Sequence, residues 1–464
     1  MSAKSNDQDK MNEVEKTAAV SLAAIFAMRM IGLFMILPVF SLYASELSGS
    51  TPFLIGLAIS AYGLTQAIFQ IPFGLMSDRF GRKRMILIGL ALFAAGSVVA
   101  ALSSSIEGVI VGRALQGSGA IAAAVMALAA DLTREEHRTK VMATIGISIG
   151  LAFGISMVLG PVISQWSGLS GLFWLTMLLA FGGMLVVLFF VPNPVQSTLH
   201  RDAGTIPAQF SSVLKHAELL RLDFGIFILH LVLTAGFVVL PLSLRDEGGV
   251  IPADHWLVYL PVMVVAVIAM VPLVIMAEKK RKMKGVFLTA ITLVILAELG
   301  FMQFHANLTG LVLFMIVFFT GFNLLEAVLP SMISKVAPPE SKGTAMGVYS
   351  SSQFLGAFVG GISGGYLYGE QGISAVFLLC AVVMTVWLLV ASSMKPPRHL
   401  SSLLLKTEQL SDHQAKLLEK ELLAVFGVVE ASLQTEESVA YLKVDNDQLE
   451  REKLFALVNK SDTV

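Results

Sequence analysis

What the chain lacks narrows it first. Its one cysteine, Cys380, excludes an intramolecular disulfide and any cysteine metal cluster. Only 14% of the 464 residues are charged and 55% are hydrophobic, whereas a soluble domain carries roughly a quarter charged residues. With a mean hydropathy of +0.77, the chain is a polytopic membrane protein. The eight histidines are scattered; a membrane desaturase or acyltransferase would need clustered His or Asp boxes, so an enzyme is not expected. No G-x-x-x-x-G-K-[ST] loop is present, which argues against ATP as the direct energy source. The net charge of −1 says little about partners, and no nucleic acid is expected. The polar N-terminus runs into an apolar stretch without a small-residue cleavage site, so it is read as a retained tail and not a signal peptide.

Long apolar runs are what the chain has in abundance. They fall near 17–43, 53–76, 85–104, 106–130, 142–165 and 170–191, then near 222–244, 255–277, 285–303, 308–333, 344–368 and 372–394. Each has the roughly 20 residues an α-helix needs to cross a bilayer, which predicts twelve spans. Arg79, Arg82, Lys83, Arg84, Arg134, Arg138, Lys140, Arg201, Lys215, Arg221, the Lys279–Lys284 cluster, Lys335 and Lys342 fall on one side, and the opposite loops carry only Arg245. The positive-inside rule then puts both termini in the cytoplasm. The expected division is a tail (1–16), a six-helix bundle (17–191), a linker (192–221), a second six-helix bundle (222–394) and a soluble domain (399–464) behind Pro396-Pro397. In the linker, Pro192, Pro194 and Pro207 break helices, and Phe210, Val213, Leu214 and Leu220 form one apolar stripe of a short surface helix.

The halves repeat. Gly74-Leu75-Met76-Ser77-Asp78-Arg79-Phe80-Gly81-Arg82-Lys83-Arg84 joins the second and third spans, and Met276-Ala277-Glu278-Lys279-Lys280-Arg281-Lys282-Met283-Lys284 echoes it after the eighth. Pro38 is matched by Pro241, and the polar Arg29 of the first span by His230 of the seventh. In the fourth span lies Gly112-Arg113-Ala114-Leu115-Gln116-Gly117-Ser118-Gly119-Ala120, whose arginine must face a polar interior. In the fifth, Gly146, Gly150 and Gly154 line one helix face as a packing groove, and Gly160-Pro161 bends the helix.

These stretches resemble signatures of the major facilitator superfamily of secondary transporters: the loop G-x-x-x-D-R-x-G-R-K-R, the span-4 R-x-x-Q-G-x-G and, in part, the span-5 antiporter motif. Val162-Ile163-Ser164 stands where that last motif has further glycines. The resemblance covers residues 17–394. It implies an all-α membrane protein with two pseudo-symmetric six-helix bundles that alternate access. With its extra domain the chain resembles the proton-driven, drug-exporter-like subgroup of bacterial inner membranes that carries one. The resemblance also implies a conformational switch made by Gly74, Asp78, Arg79, Gly81, Arg82, Asp131 and Gly343. In it Asp78 accepts hydrogen bonds from the N-terminus of the eleventh span near Gly343-Thr344, where an anion is favoured. Asp78 also interacts there with Arg82 and Asp131, and the contacts favour the outward-facing state.

Ionisable groups inside a bilayer are expensive and mark function. Glu326 in the tenth span is the expected proton carrier, since a carboxyl group in a low-dielectric cavity can load and release a proton near neutrality. His230 relays or shares that proton, and Arg29 and Arg113 are expected to face the same cavity. Glu298 is placed nearer lipid. Gln66, Gln70, Gln116, Asn323 and Gln353 are the candidate cavity lining. The reading is a proton-coupled efflux antiporter of a small amphiphilic or drug-like molecule in the bacterial inner membrane. It is expected to be monomeric, with lipid, protons and its substrate as partners and the proton gradient in place of a cofactor. Uptake by symport is the alternative, and a non-transporting sensor is a third; proton flux on substrate addition separates the last.

The final segment reads as a small α+β domain. Ser401–Lys406 suits a strand, and the capping pattern Ser411-Asp412-His413-Gln414 opens a helix to about Phe426, closed by Gly427. Val428–Leu433 and Ser438–Val444 read as strands and Asp447–Val458 as a second helix, the order of a ferredoxin-like split βαβ unit. Metal-carrying domains of that order need a Cys-x-x-Cys pair, which is absent here, so no metal is expected. The domain is expected to be dispensable for the transport step.

Overall fold

A computed structural model describes residues 11–193, 210–279, 282–338, 341–395, 401–407, 410–435, 439–445 and 448–459. The expectations placed on Pro194, Arg201, Pro207, Lys280, Arg281 and Pro396-Pro397 lie outside these residues.

Ten helices among the described residues are long and apolar enough to cross a bilayer. Two further crossings complete the twelve. The continuous run Glu135–Phe189 is two helices meeting at Gly168, whose φ of 60° and ψ of −162° suit a residue without a Cβ. The 30-residue helix Lys342–Gln371 is too rich in glycine and hydroxyl groups to stand out by hydropathy. The spanning helices are α1 (Glu13–Phe34), α2 (Pro52–Phe80), α3 (Arg82–Leu102), α4 (Ile106–Asp131), α5 (135–167), α6 (169–189), α7 (Ala217–Leu242), α8 (His255–Glu278), α9 (Met283–Phe304), α10 (Leu308–Val336), α11 (Lys342–Gln371) and α12 (Ile373–Ser392).

Local chemistry sets their ends. Asn12 accepts from the Glu15 amide and the Glu15 carboxylate accepts from the Asn12 amide, both at 2.8 Å, a reciprocal cap that opens α1. Thr51 caps α2 ahead of Pro52, and Asn307 caps α10. Two expected spans are interrupted. The run 17–43 is helical only to Phe34, turns through 35–39 around Pro38 and resumes as Phe40–Tyr43, because proline has no amide to continue the ladder. α4 breaks between Ser118 and Ala122, which frees the Gly119 carbonyl to accept from a side chain. Among the described linker residues Phe210–Val213 is a short helix; Leu220 belongs to α7 instead, because that helix begins at Ala217.

The bundles meet toward the end remote from the loop cations. There Ser41 donates to the Phe237 carbonyl at 3.3 Å, and Phe153 packs on Phe319 and Phe322 at 6.1 and 6.0 Å between ring centroids. A Cβ added at Gly361 of α11 would sit 2.6 Å from the Gly56 carbonyl of α2, so only glycine permits that crossing. Toward the basic end the arrangement differs. Gly146, Gly150 and Gly154 were expected to form a packing groove, yet a Cβ on any of them would meet no atom within 4 Å. Gly146 and Gly150 share a helical face with Phe153 and Met157, which do pack across the interface. The glycine stripe therefore borders an open space between the bundles, and the expected groove holds no helix in this conformation.

Beyond α12, β1 (Ser401–Lys406), α13 (Asp412–Leu423), β2 (Val428–Gln434), β3 (Val439–Val444) and α14 (Arg451–Asn459) build a small layer of helices on a sheet. Sheet order is β1-β3-β2 with both pairings antiparallel, so β1 and β2 run parallel with β3 between them. This is the split βαβ unit that the element order implies. Leu405, Leu418, Leu422, Leu442, Val444 and Leu454 form its core. The first helix stops at Leu423, short of Phe426, and the second begins at Arg451, later than expected. The buried Lys443 of β3 pairs with Glu430 at 3.2 Å and donates to the Lys335 carbonyl at the end of α10, also at 3.2 Å. The small domain thus touches the basic end of the second bundle.

Candidate transport site

At the basic end, Gly81 (φ 97°) makes the joint between α2 and α3. The joint aims Arg82 back into the protein, where it pairs with Asp78, donates to the Ser77 hydroxyl at 2.8 Å and reaches Asp131 of α4 at 3.2 Å. Lys83 holds the end of α6 through the Val191 carbonyl at 2.5 Å and the Asn193 side chain at 2.7 Å. Arg79 turns outward over the Phe80 ring, and Gly74 packs beside Ala123. Among the described residues Asp78 engages Arg82, and the expected hydrogen bond from the start of α11 at Gly343-Thr344 is not among its contacts. The first bundle is tied further by Glu15, which takes the Arg134 guanidinium at 2.9 and 3.0 Å. The echo in the second bundle has its own latch: Glu278 accepts from Ser331 at 2.8 Å and from Lys335 at 2.9 Å.

Mid-membrane, the first bundle holds two arginines, each 1% exposed. One Arg29 nitrogen donates to Tyr62, Gln66 and the freed Gly119 carbonyl at 2.9, 2.7 and 2.8 Å. Arg113 donates to Gln116 at 2.8 Å and to the Ile59 and Ala58 carbonyls at 3.1 and 3.4 Å. Gln66 passes a bond to Gln70 and Gln116 one to Ser97, both at 2.7 Å. Two expectations change here. Arg29 and Arg113 spend their donors inside the first bundle and not on Glu326. Gln66 and Gln116 are buried as acceptors for those arginines and Gln70 is buried as the acceptor for Gln66, so in this conformation they do not line the cavity. A desolvated guanidinium needs several acceptors, and these amides and carbonyls supply part of them, leaving Arg29 Nε and Nη1 without a partner.

The second bundle is arranged otherwise. Glu326 lies on the α10 face that carries Phe319 and Phe322, one turn nearer the basic end than Phe322. Its side chain is 34% exposed, and its Oε1 stands 3.6 Å from His230 Nδ1. His230 Nε2 and Gln353 Nε2 are 2.8 Å apart, and the imidazole lies 6.1 Å from the Phe322 ring. Asn323 keeps a buried amide nitrogen without a partner. Glu326, His230, Asn323 and Gln353 thus gather directly beneath the aromatic contact of Phe153, Phe319 and Phe322, with the glycine stripe of α5 opposite. The sequence signal for that aromatic contact was the helical spacing of Phe319 and Phe322, but spacing alone does not name the partner ring. Glu298, expected nearer lipid, is 1% exposed inside the second bundle among Phe301, Phe318 and Phe377. Helix α9 turns that face toward α7 and α12, which hydropathy could not show.

Two six-helix bundles closed at one end, with polar groups at mid-depth under the closure, define a membrane transporter. A model described as the Major Facilitator Superfamily matches residues 22–248 and 222–435. The chain is 50% identical over 438 residues to the inner membrane transport protein YajR of Escherichia coli (strain K12), covering 94% of this chain and 96% of that one. It is 26% identical over 384 residues to multidrug resistance protein 2 of Bacillus subtilis (strain 168), covering 81% and 94%. The fold is shared with the crystal structure of a bacterial homolog to the human lysosomal transporter Spinster, in an inward-facing and unoccupied conformation. That likeness has a TM-score of 0.65 at 14% identity and covers 82% of this chain and 98% of the other. The chain belongs to the Major Facilitator Superfamily and is a transporter, not an enzyme.

Proposed function

We propose that this transporter is a proton-coupled antiporter that exports small amphiphilic molecules from the cytoplasm, with both termini and the C-terminal domain on the cytoplasmic side. The observation that carries the reading is Glu326. It is a carboxyl group partly open to the cavity, set 3.6 Å from a histidine and under an aromatic roof. Such a group can hold a proton in one facing state and release it in the other. The neighbouring rings of Phe322 and Phe319 and the bare backbone of Gly146 and Gly150 give an amphiphile apolar contact and room. Relatives named for multidrug resistance support export, and the loop cations support the orientation.

The reading is tested by a growth screen of overexpressing cells against cationic, neutral and anionic toxic amphiphiles, followed by accumulation measurements. For any protective compound, proteoliposomes with an imposed pH gradient should drive its transport, and Glu326→Gln should lose gradient-driven transport. Transport in the direction of the proton flux would establish uptake by symport instead.

A further inference from the structure

Below the Glu326–His230 pair, on the way to the basic end, lie two buried groups that no part of the site described so far uses. Asp223 of α7 is 5% exposed and Tyr349 of α11 is 4% exposed. Both Asp223 oxygens and the Tyr349 hydroxyl are buried without a hydrogen-bond partner. In a bilayer interior such orphaned groups are strongly disfavoured unless they have work to do.

Their depths match. At about 1.5 Å per residue, Asp223 lies ~9 Å into α7 and Tyr349 ~10 Å into α11. Counted from the same end, Glu326 lies ~15 Å deep, and Gln353 and His230 lie ~16 and ~20 Å deep. α7 and α11 both start at the basic end and pack backbone to backbone, a Cβ at Gly364 falling 2.9 Å from Ala235 Cα. The Tyr349 hydroxyl lies within the electrostatic reach of both Glu326 and Asp223. Glu326 has two aspects: part of it opens to the cavity, while Oε1 is fully buried on the His230 side. Ser351 Oγ and Asn323 Nδ2 are further unpartnered polar atoms on α11 and α10. From α12, packed on the same helix, come Trp387 and Cys380, neither of them charged.

We propose that Tyr349 and Asp223 form a back route by which the Glu326 proton reaches the aqueous space at the basic end while substrate fills the cavity. The inference rests on Glu326 as carrier. The Glu326 carboxyl gives its proton to the Tyr349 phenol oxygen as the phenol proton passes to the Asp223 carboxylate, with water bridging the gaps. Asp223 then releases that proton to bulk water, and no net charge stays on the tyrosine. Substrate and proton therefore need not share one doorway, and an incoming amphiphile does not seal in the proton it must replace.

The test uses full-length purified protein with Cys380→Ser and Gly150→Cys, capped by a bulky polyethylene-glycol maleimide that fills the cavity. A pH jump is followed by time-resolved infrared spectroscopy of the carboxyl band that disappears in Glu326→Gln. In the capped parent the band should still respond. Asp223→Asn and Tyr349→Phe should each slow the response at least about tenfold, the loss expected when a proton-transfer group is removed, with the same end point. Asp223→Glu should keep the parent rate. Responses as fast as the capped parent in both variants would overturn the route. So would a shifted end point at unchanged rate, which makes the two residues electrostatic neighbours only. If no pH-responsive carboxyl band disappears in Glu326→Gln, the carrier assignment fails, and the route with it.

Discussion

The two bundles solve the problem of buried charge in opposite ways. In the first, Arg29 and Arg113 are permanent cations: one Arg29 nitrogen donates to a phenol, an amide and the Gly119 carbonyl while Nε and Nη1 stay unpartnered, and Arg113 donates to an amide and a helix carbonyl. In the second, Glu326, His230, Asp223 and Glu298 are groups that can lose or gain charge, and most of their buried polar atoms lack partners. A fixed buried charge is favoured by every acceptor it gains, because leaving it with none costs several kcal/mol. A titrating group is under the opposite constraint: full coordination would pin it in one state. On the proposed function, the frame divides labour: the first bundle holds fixed charge and the second holds the groups that exchange protons.

Breaking the second bundle's side should produce the largest effect on transport. Glu326→Gln should abolish gradient-driven transport, by about a hundredfold or more, while inserting and melting like the parent. Activity that survives moves the carrier role to His230 or Glu298. Breaking the first bundle's side should show the reverse signature. Arg113→Met orphans the buried Gln116 Oε1, which predicts a loss of about 1–3 kcal/mol. Thermal unfolding in detergent would read it as a clear drop in Tm, and an unchanged Tm would show that the arginine network is not structural.

A subtler probe compares the basic ends. Asp78→Asn removes one arm of the Arg82 cluster that favours closure at that end in the other conformation. In a Cys380→Ser background, Gly150→Cys should then label severalfold faster from the cytoplasmic side. Equal labelling rates would detach the cluster from the gate. Smallest is the effect expected at the domain contact. Truncation after Met394 should leave transport within about twofold of the parent, because one surface-type bond to a carbonyl contributes ~1 kcal/mol. Complete inactivity of an inserted truncation would make the small domain part of the transport machinery.

Much of this architecture was legible in the sequence. Membrane thickness fixes span length, so the crossings and their repeat could be read from the spacing of apolar runs. The small domain was readable because its caps and turns are local: Ser411 and Gly427 act where they stand. The site was only half legible. Sequence placed Glu326, His230 and Gln353 in membrane spans, and the fold gathers them. It also placed Arg29, Arg113 and three glutamines in the cavity, and the fold removes them, since which helix faces meet is decided by tertiary packing. Asp223 and Tyr349 went unread for a related reason. Asp223 sits at the very edge of an apolar run, where it passes for a boundary residue, and Tyr349 sits among small polar neighbours. Equal depth on adjacent helices leaves no trace in spacing.

The glycine-rich composition of α11 has a consequence for how the protein is made. Lys342–Gln371 is too weakly apolar to be recognised as a crossing on its own account, and insertion into lipid is decided largely by per-residue apolarity. Its glycines instead fit against the backbones of α2 and α7. During synthesis this segment must wait beside the translocon until those earlier helices offer it a surface. Insertion of α11 should therefore depend on both α2 and α7, and a chain that loses α2 should insert α11 less efficiently.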